Sequence, residues 1–148
     1  MRIQSITATD YLDQMWPLLA AHREELTVYP DIMQLSPDVE TYVRLEQMGK
    51  LISLGVFDDE DNLVGYSVNI VTRNLHYDLL VCQNDVLYLT PKHRLGPIGL
   101  RLIRETERHA REAGAKIMLW HAKQGTSLDN ILPRMQYITQ EIMYSRVL

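Results

Sequence analysis

Residues 85 to 121 constrain the fold more than any other stretch of the chain. "DVLYLT" (85–90) is a compact run of residues that suit a pleated surface, and Pro91 ends it. A basic, glycine-bearing turn follows in "KHRLGPIG" (92–99). Over 97–113, Ile98, Leu102, Ala110 and Ala113 recur on one helical face, with Leu95 and Ile103 beside them. Arg101, Arg104, Glu105, Arg108, Arg111 and Glu112 occupy the other face at spacings that pair opposite charges. Gly114 caps the helix, and "AKIMLWHA" (115–122) reads as a buried strand. Strand, helix and strand in immediate succession require a right-handed crossover between parallel neighbours.

The first half has a different rhythm. "MRIQSITAT" reads as a first strand, and Thr9 or Asp10 can cap the helix that follows. Tyr11, Leu12, Met15, Trp16, Leu19 and Leu26 are its apolar positions, and Pro17 should kink or break it. "TVYPDIMQLSPD" (27–38) is a loop. Pro37 suits the first position of a second helix carrying Val39, Tyr42, Val43, Leu45 and Met48, which Gly49 ends. "LISLGVFD" and "LVGYSVNIV" form a hairpin around "DEDN", and "LHYDLLVCQ" (75–83) is ambiguous between strand and loop. "TSLDNIL" is a short helix stopped by Pro133, and "YITQEIMYSRVL" (137–148) is a terminal strand. The order predicts one α/β (α+β) domain over 1–148, a mixed sheet with helices on its faces.

Composition narrows the partners. Lys and Arg number 15 against 19 Asp and Glu, a net charge of −4, which argues against nucleic acid or an anionic membrane. Cys82 is the one cysteine, so no internal disulfide can form and a reducing cytoplasm fits; packing is its expected role. No apolar run is long enough to span a bilayer, none near the start resembles a signal peptide, and no metal-ligand cluster is evident.

The turn at 92–99 has a chemistry of its own. A strand that passes directly into a helix presents free backbone N–H groups at the positive end of the helix dipole. Gly96 and Gly99 allow a bulky anion to approach, Pro97 suits the first helical turn, and Arg94 and Lys92 add positive charge. A phosphate or pyrophosphate is the expected guest. The same connection also occurs in α/β proteins that hold nothing there. No Gly-Lys-Ser/Thr follows it, and it does not fit the dinucleotide fingerprint.

"LYLTPKHRLGPIGLRLI" resembles motif A of the GNAT family, the GCN5-related N-acetyltransferases, through Leu89, Pro91, Arg94, Ile98 and Gly99. The element order extends the resemblance to nearly the whole chain. "HREEL", "QNDVLYLTP" and "YITQEIMYSRVL" are similar to small phage and prophage acetyltransferases, which implies a host cytoplasm. Leu95 and Pro97 stand where the family has glycines, and Pro97 removes an amide from the turn.

The resemblance implies a GNAT fold of six to seven strands and about four helices. Its fourth and fifth strands, 85–90 and 116–121 here, splay into a wedge for acetyl-CoA. Backbone groups of Leu87 and Leu89 would meet the pantetheine arm and thioester. The turn of Arg94, Leu95, Gly96, Pro97, Ile98 and Gly99 would cradle the pyrophosphate. The implied reaction is direct acetyl transfer to a primary amine. That chemistry needs a base for the amine and an N–H donor for the thioester oxygen, here the amide of Leu89. His121 is the first candidate base and Asp85 the second, both close to the wedge strands. Leu132 stands where many relatives carry an acidic tyrosine, with Tyr88, Tyr137 and Tyr144 as distant substitutes. The loop between the first two helices would cover the amine, with Glu25 and Tyr29 as acceptor-binding residues and His22, Glu24 and Asp31 nearby. The competing reading is a GNAT-fold binding or structural module of phage origin. A homodimer through the terminal strands is a further expectation.

Overall fold

The computed structural model describes residues 1–148. The elements are β1 (Arg2–Ser5), α1 (Leu12–Leu26), α2 (Val39–Gln47), β2 (Leu51–Phe57), β3 (Leu63–Arg73), β4 (Leu80–Leu89), α3 (Ile98–Glu112), β5 (Ile117–Leu119) and α4 (Ser127–Ile131). The strands form one sheet in the order β1-β2-β3-β4-β5. The first four run antiparallel, and β5 joins β4 in parallel.

Each face of the sheet carries its own core. Met15 of α1 packs with Phe57, Tyr66, Val68 and Tyr88 on one face. Ile98 and Leu102 of α3 pack on Leu54, Val56, Val64 and Leu89 on the other. The alternating residues of β3 and β4 thus divide between two helical layers. Gly65 sits opposite Leu89, where a Cβ would lie 2.8 Å from the Tyr88 carbonyl and 2.7 Å from a Leu89 methyl. A side chain there would displace the end of β4.

Several expectations change. The ambiguous stretch supplies the first half of β4, and "NDVLYL" is its second half. Asn74 explains the break before it: its side chain accepts from the amides of His76 and Tyr77. Helix α1 runs through Pro17 without breaking, because Pro17 and Asp13 lie on the exposed side where water can serve the Asp13 carbonyl. Trp16 is exposed rather than buried. Neither Thr9 nor Asp10 caps α1. The Thr9 hydroxyl instead donates to Glu46 at 2.7 Å. Asp38, not Pro37, opens α2, accepting from the Thr41 amide at 3.1 Å.

The sheet has five strands, fewer than the six to seven expected. Residues 137–148 form no strand, and Ile138, Ile142, Met143 and Tyr144 stay exposed. Their β-branched and aromatic residues suit a strand, but β5 is three residues long and a strand exists only when paired. The terminal strand expected to carry a homodimer is therefore absent from the chain. No helix is long and apolar enough to cross a membrane.

Candidate active site

The site is made where β4 loses a neighbour. β4 and β5 pair at Val81 with Ile117, Cys82 with Met118 and Gln83 with Leu119, and no further. From Asn84 to Leu89 that edge of β4 is uncovered, which is the expected wedge. A β-bulge falls at the same point. Val86 faces Val68 and Asn84 faces Asn69, so Asp85 is the extra residue. A cleft of about 700 Å³ opens there, lined by residues of α1, α2, β4 and α3 and of the segment after β5.

The alternation of an antiparallel strand decides what β4 shows to the cleft. The Thr90 amide donates to the Val64 carbonyl on β3 at 2.9 Å. Residues one and three earlier, Leu89 and Leu87, therefore direct their N–H groups to the opposite, open edge. The Leu87 and Leu89 amides therefore face the wedge. At the start of α3 the first intrahelical bond runs from the Arg101 amide to the Pro97 carbonyl at 3.0 Å. The amides of Ile98, Gly99 and Leu100 precede it. Gly99 lines the cleft, and a Cβ on it would meet only a Leu89 methyl at 3.7 Å.

The turn residues divide by role. Leu95 is fully exposed, Gly96 faces open space, Pro97 is exposed and Ile98 is buried in the core. None of those four lines the cleft. Their side chains contribute nothing to it, and Pro97 has no amide to offer. Arg94 does line the cleft, but it points to the α1 side. Its Nε donates to the Leu89 carbonyl at 2.7 Å, and its two terminal nitrogens donate to the Glu25 carboxylate at 2.6 and 2.7 Å. The guanidinium also lies 5.3 Å from the centre of the Tyr88 ring. Arg94 therefore clasps the end of β4 to the end of α1, and Glu25 is its partner rather than a free acceptor group.

His22, one turn before Glu25, stacks on Tyr88 with ring centres 5.2 Å apart. Burial pushes its imidazole below the ordinary histidine range, Glu25 opposes that and Arg94 reinforces it. The hydrogen bond from Arg94 holds the Glu25 carboxyl below its usual range.

At the bulge, the Tyr42 hydroxyl of α2 donates to the carboxylate of the exposed Asp85. Burial and then Asp85 push the Tyr42 phenol well above its usual range, so it stays protonated and serves as a donor. Tyr42 reads in the sequence as one more member of an apolar stripe. A tyrosine among Val39, Val43 and Leu45 is the only hint of its polar role.

His121 lines the cleft from beyond β5, two residues after a strand that ends at Leu119, and is exposed. Tyr29 does not line the cleft. Its hydroxyl meets Ser145 of the C-terminal segment, with Oγ at 3.1 Å. Of the tyrosines considered as acids, only Tyr88 lines the cleft; Tyr137 donates to Glu107 at 2.5 Å and Tyr144 is exposed. Leu132 is buried, and Gln136 adopts a left-handed φ of 67°. Cys82 is fully buried and its thiol is pushed up to about 11, so it is inert packing. No group of three or more metal-ligating side chains occurs.

No protein-family model and no curated protein sequence matches the chain. Solved structures do. A ribosomal-protein-alanine N-acetyltransferase from Brucella melitensis biovar Abortus 2308 superimposes with a TM-score of 0.71 at 20% identity, over 100% of this chain and 99% of that one. An aminoglycoside acetyltransferase from an uncultured soil metagenomic sample, in complex with sisomicin, gives 0.75 at 16% identity, over 99% and 95%. A Trypanosoma brucei acetyltransferase gives 0.73 at 11% identity, over 99% of each. The chain has the GNAT acetyltransferase fold along its whole length.

Proposed function

We propose that the protein is an N-acetyltransferase that takes its acetyl group from acetyl-CoA and passes it directly to a primary amine. The carrying observation is the wedge: β4 and β5 part after Gln83 and Leu119, and the uncovered edge of β4 opens on a cleft that fits a small ligand. A thioester arm would lie along Leu87 and Leu89, whose amides need carbonyl acceptors. The pyrophosphate would sit on the backbone of Gly99 and its neighbours, held by amides and the helix dipole rather than by Arg94.

The roles follow from position. Asp85, at the bulge and oriented by Tyr42, takes the proton that the attacking ammonium must lose. His121, in the segment after β5, is the second candidate base. The amine nitrogen then bonds to the thioester carbon while the Leu89 amide stabilises the oxygen anion. As the carbon–sulfur bond breaks, the nitrogen gives up its second proton, directly or through water, to the departing thiolate, and an amide and the CoA thiol remain. Asp85 favours a cationic acceptor, since its carboxylate and the nearby His22 and Tyr88 rings line the cleft.

Calorimetric titration with acetyl-CoA, CoA and pantetheine tests the reading. Micromolar binding that needs the nucleotide part is the expected result, and acetylation of amines from a panel of peptides, polyamines and aminoglycosides would follow. The second reading, a GNAT-fold binding module without catalysis, rests on Pro97 and on Leu132 in place of a tyrosine. It gains if no binding occurs at millimolar ligand.

A further inference from the structure

Between α3 and the wedge runs a line of buried polar side chains that the proposed chemistry does not use. Thr106, Ser67 and Asn69 are fully buried, and Asn84 is 3% exposed. Asn84 Nδ2 donates to Asn69 Oδ1 at 3.1 Å. Asn69 Nδ2 donates to Ser67 Oγ at 2.8 Å. Ser67 and Thr106 share a hydrogen bond at 3.0 Å, and the Thr106 hydroxyl reaches the Leu102 carbonyl at 2.9 Å.

The two amides are oriented by carbonyls that can only accept. Asn69 Nδ2 also donates to the Ile52 carbonyl at 3.3 Å and Asn84 Nδ2 to the Val68 carbonyl, so Asn69 Oδ1 faces Asn84 and accepts from it. The Thr106 hydroxyl lies against Ser67 Oγ and the Leu102 carbonyl at the other end of the line. This arrangement also fixes the amide of Asn84, because a flipped Asn84 would set two carbonyl oxygens against each other. Its Nδ2 is spent on Asn69 and, at 3.4 Å, on the Val68 carbonyl. Its Oδ1 accepts nothing from the protein, and Asn84 lines the cleft.

The Asn84 Oδ1 is not sealed inside the protein but opens on the cleft, so its unused lone pairs are offered to an N–H or O–H that enters there. We propose that Asn84 is a ligand-binding residue: its Oδ1 accepts a hydrogen bond from a secondary-amide N–H of the molecule in the wedge. The neighbouring amides of Leu87 and Leu89 ask for carbonyl oxygens on the same open edge. A ligand that offers carbonyls and an N–H along an extended arm satisfies all three. The pantetheine arm of a CoA thioester has that chemistry, and the inference rests on the function proposed above. The ladder behind Asn84 gives the oxygen its orientation, and each link polarises the next.

The test compares CoA with a nucleotide that lacks the arm and the phosphate joined to it. Affinities of wild type and Asn84→Leu are measured by calorimetry for CoA and for adenosine 3′,5′-bisphosphate, which lacks the arm. Asn84→Leu should weaken CoA about tenfold, the size expected for one buried hydrogen bond, and leave the bisphosphate unchanged. Thr106→Val, at the far end of the ladder and out of the cleft, should weaken CoA by about two- to threefold in the same selective way. If Asn84→Leu fails to fold, the Asn84 side-chain amide resonance in wild type decides: CoA should shift it and the bisphosphate should not. Equal losses for both ligands, unchanged CoA affinity, or a resonance that ignores CoA would each overturn the assignment. Absence of wild-type CoA binding would instead overturn the proposed function, so the two failures are separable.

Discussion

The two faces of β4 approach the same cleft with different materials. On the α3 face, Leu87 and Leu89 pack beside neutral polar groups, and the ladder from Thr106 to Asn84 carries no formal charge. On the α1 and α2 face, Asp85 meets Tyr42 and Arg94 meets Glu25, with His22 and Tyr88 between them. The first face holds shape, and neutral donors and acceptors can be buried fully when they are all paired. The second must exchange protons and meet a charged group, so its ionisable side chains stay at the cleft surface where charge costs less.

The comparison breaks most severely at Gly99. Gly99→Trp fills the mouth of the wedge from the α3 side and should cut acetyl-CoA affinity more than about 100-fold, the loss expected when a ligand is sterically excluded. Calorimetry reads that loss, and an unchanged circular dichroism spectrum shows that the fold survives. On the opposite face, Asp85→Asn should lower the transfer rate about 100-fold or more with coenzyme affinity intact, as for removal of a general base. His121→Ala should cost less than about fivefold on the same scale. A reversed ranking would move the base to the segment after β5.

The clasp gives a smaller and purely structural effect. Arg94→Met should cost about 1 kcal/mol of stability in urea unfolding, because the Arg94 and Glu25 side chains remain 28% and 38% exposed. Its effect on CoA affinity should stay within about threefold, since the guanidinium is committed to Glu25 and the Leu89 carbonyl. A loss as large as that of Gly99→Trp would place Arg94 on the pyrophosphate after all.

The smallest effect is in pH. His22 has a folded pKa below its unfolded value, so the unfolded chain takes up a proton first as pH falls. Its share of stability is present above about pH 6.5 and declines below it. Glu25 is likewise depressed, and its share is lost only further down, below the ordinary carboxylate range. His22→Gln should therefore flatten the stability profile below about pH 6.5, and Glu25→Gln should flatten it below about pH 4.5. Urea midpoints across that range check both.

Local sequence determined a good deal of this protein. The run from Asp85 to the end of α3, with its turn at 92–99, specified a strand, a helix and the parallel crossover, because periodicity and turn residues act over a few neighbours. The hairpin of β2 and β3 was equally legible. The motif also located the wedge, since a strand passing straight into a helix leaves amides free wherever it is placed. Tertiary structure decided the rest. Arg94 belongs to Glu25, 69 residues away, and Tyr42 to Asp85, 43 residues away. Asn69 and Asn84 meet only across the β3–β4 ladder, and the bulge at Asp85 is visible only in its register. Residues 137–148 are composed like a strand but find no neighbour, because pairing depends on an edge elsewhere in the chain. Which backbone edge and which side chains stand opposite one another is a property of packing, and no local window of sequence contains it.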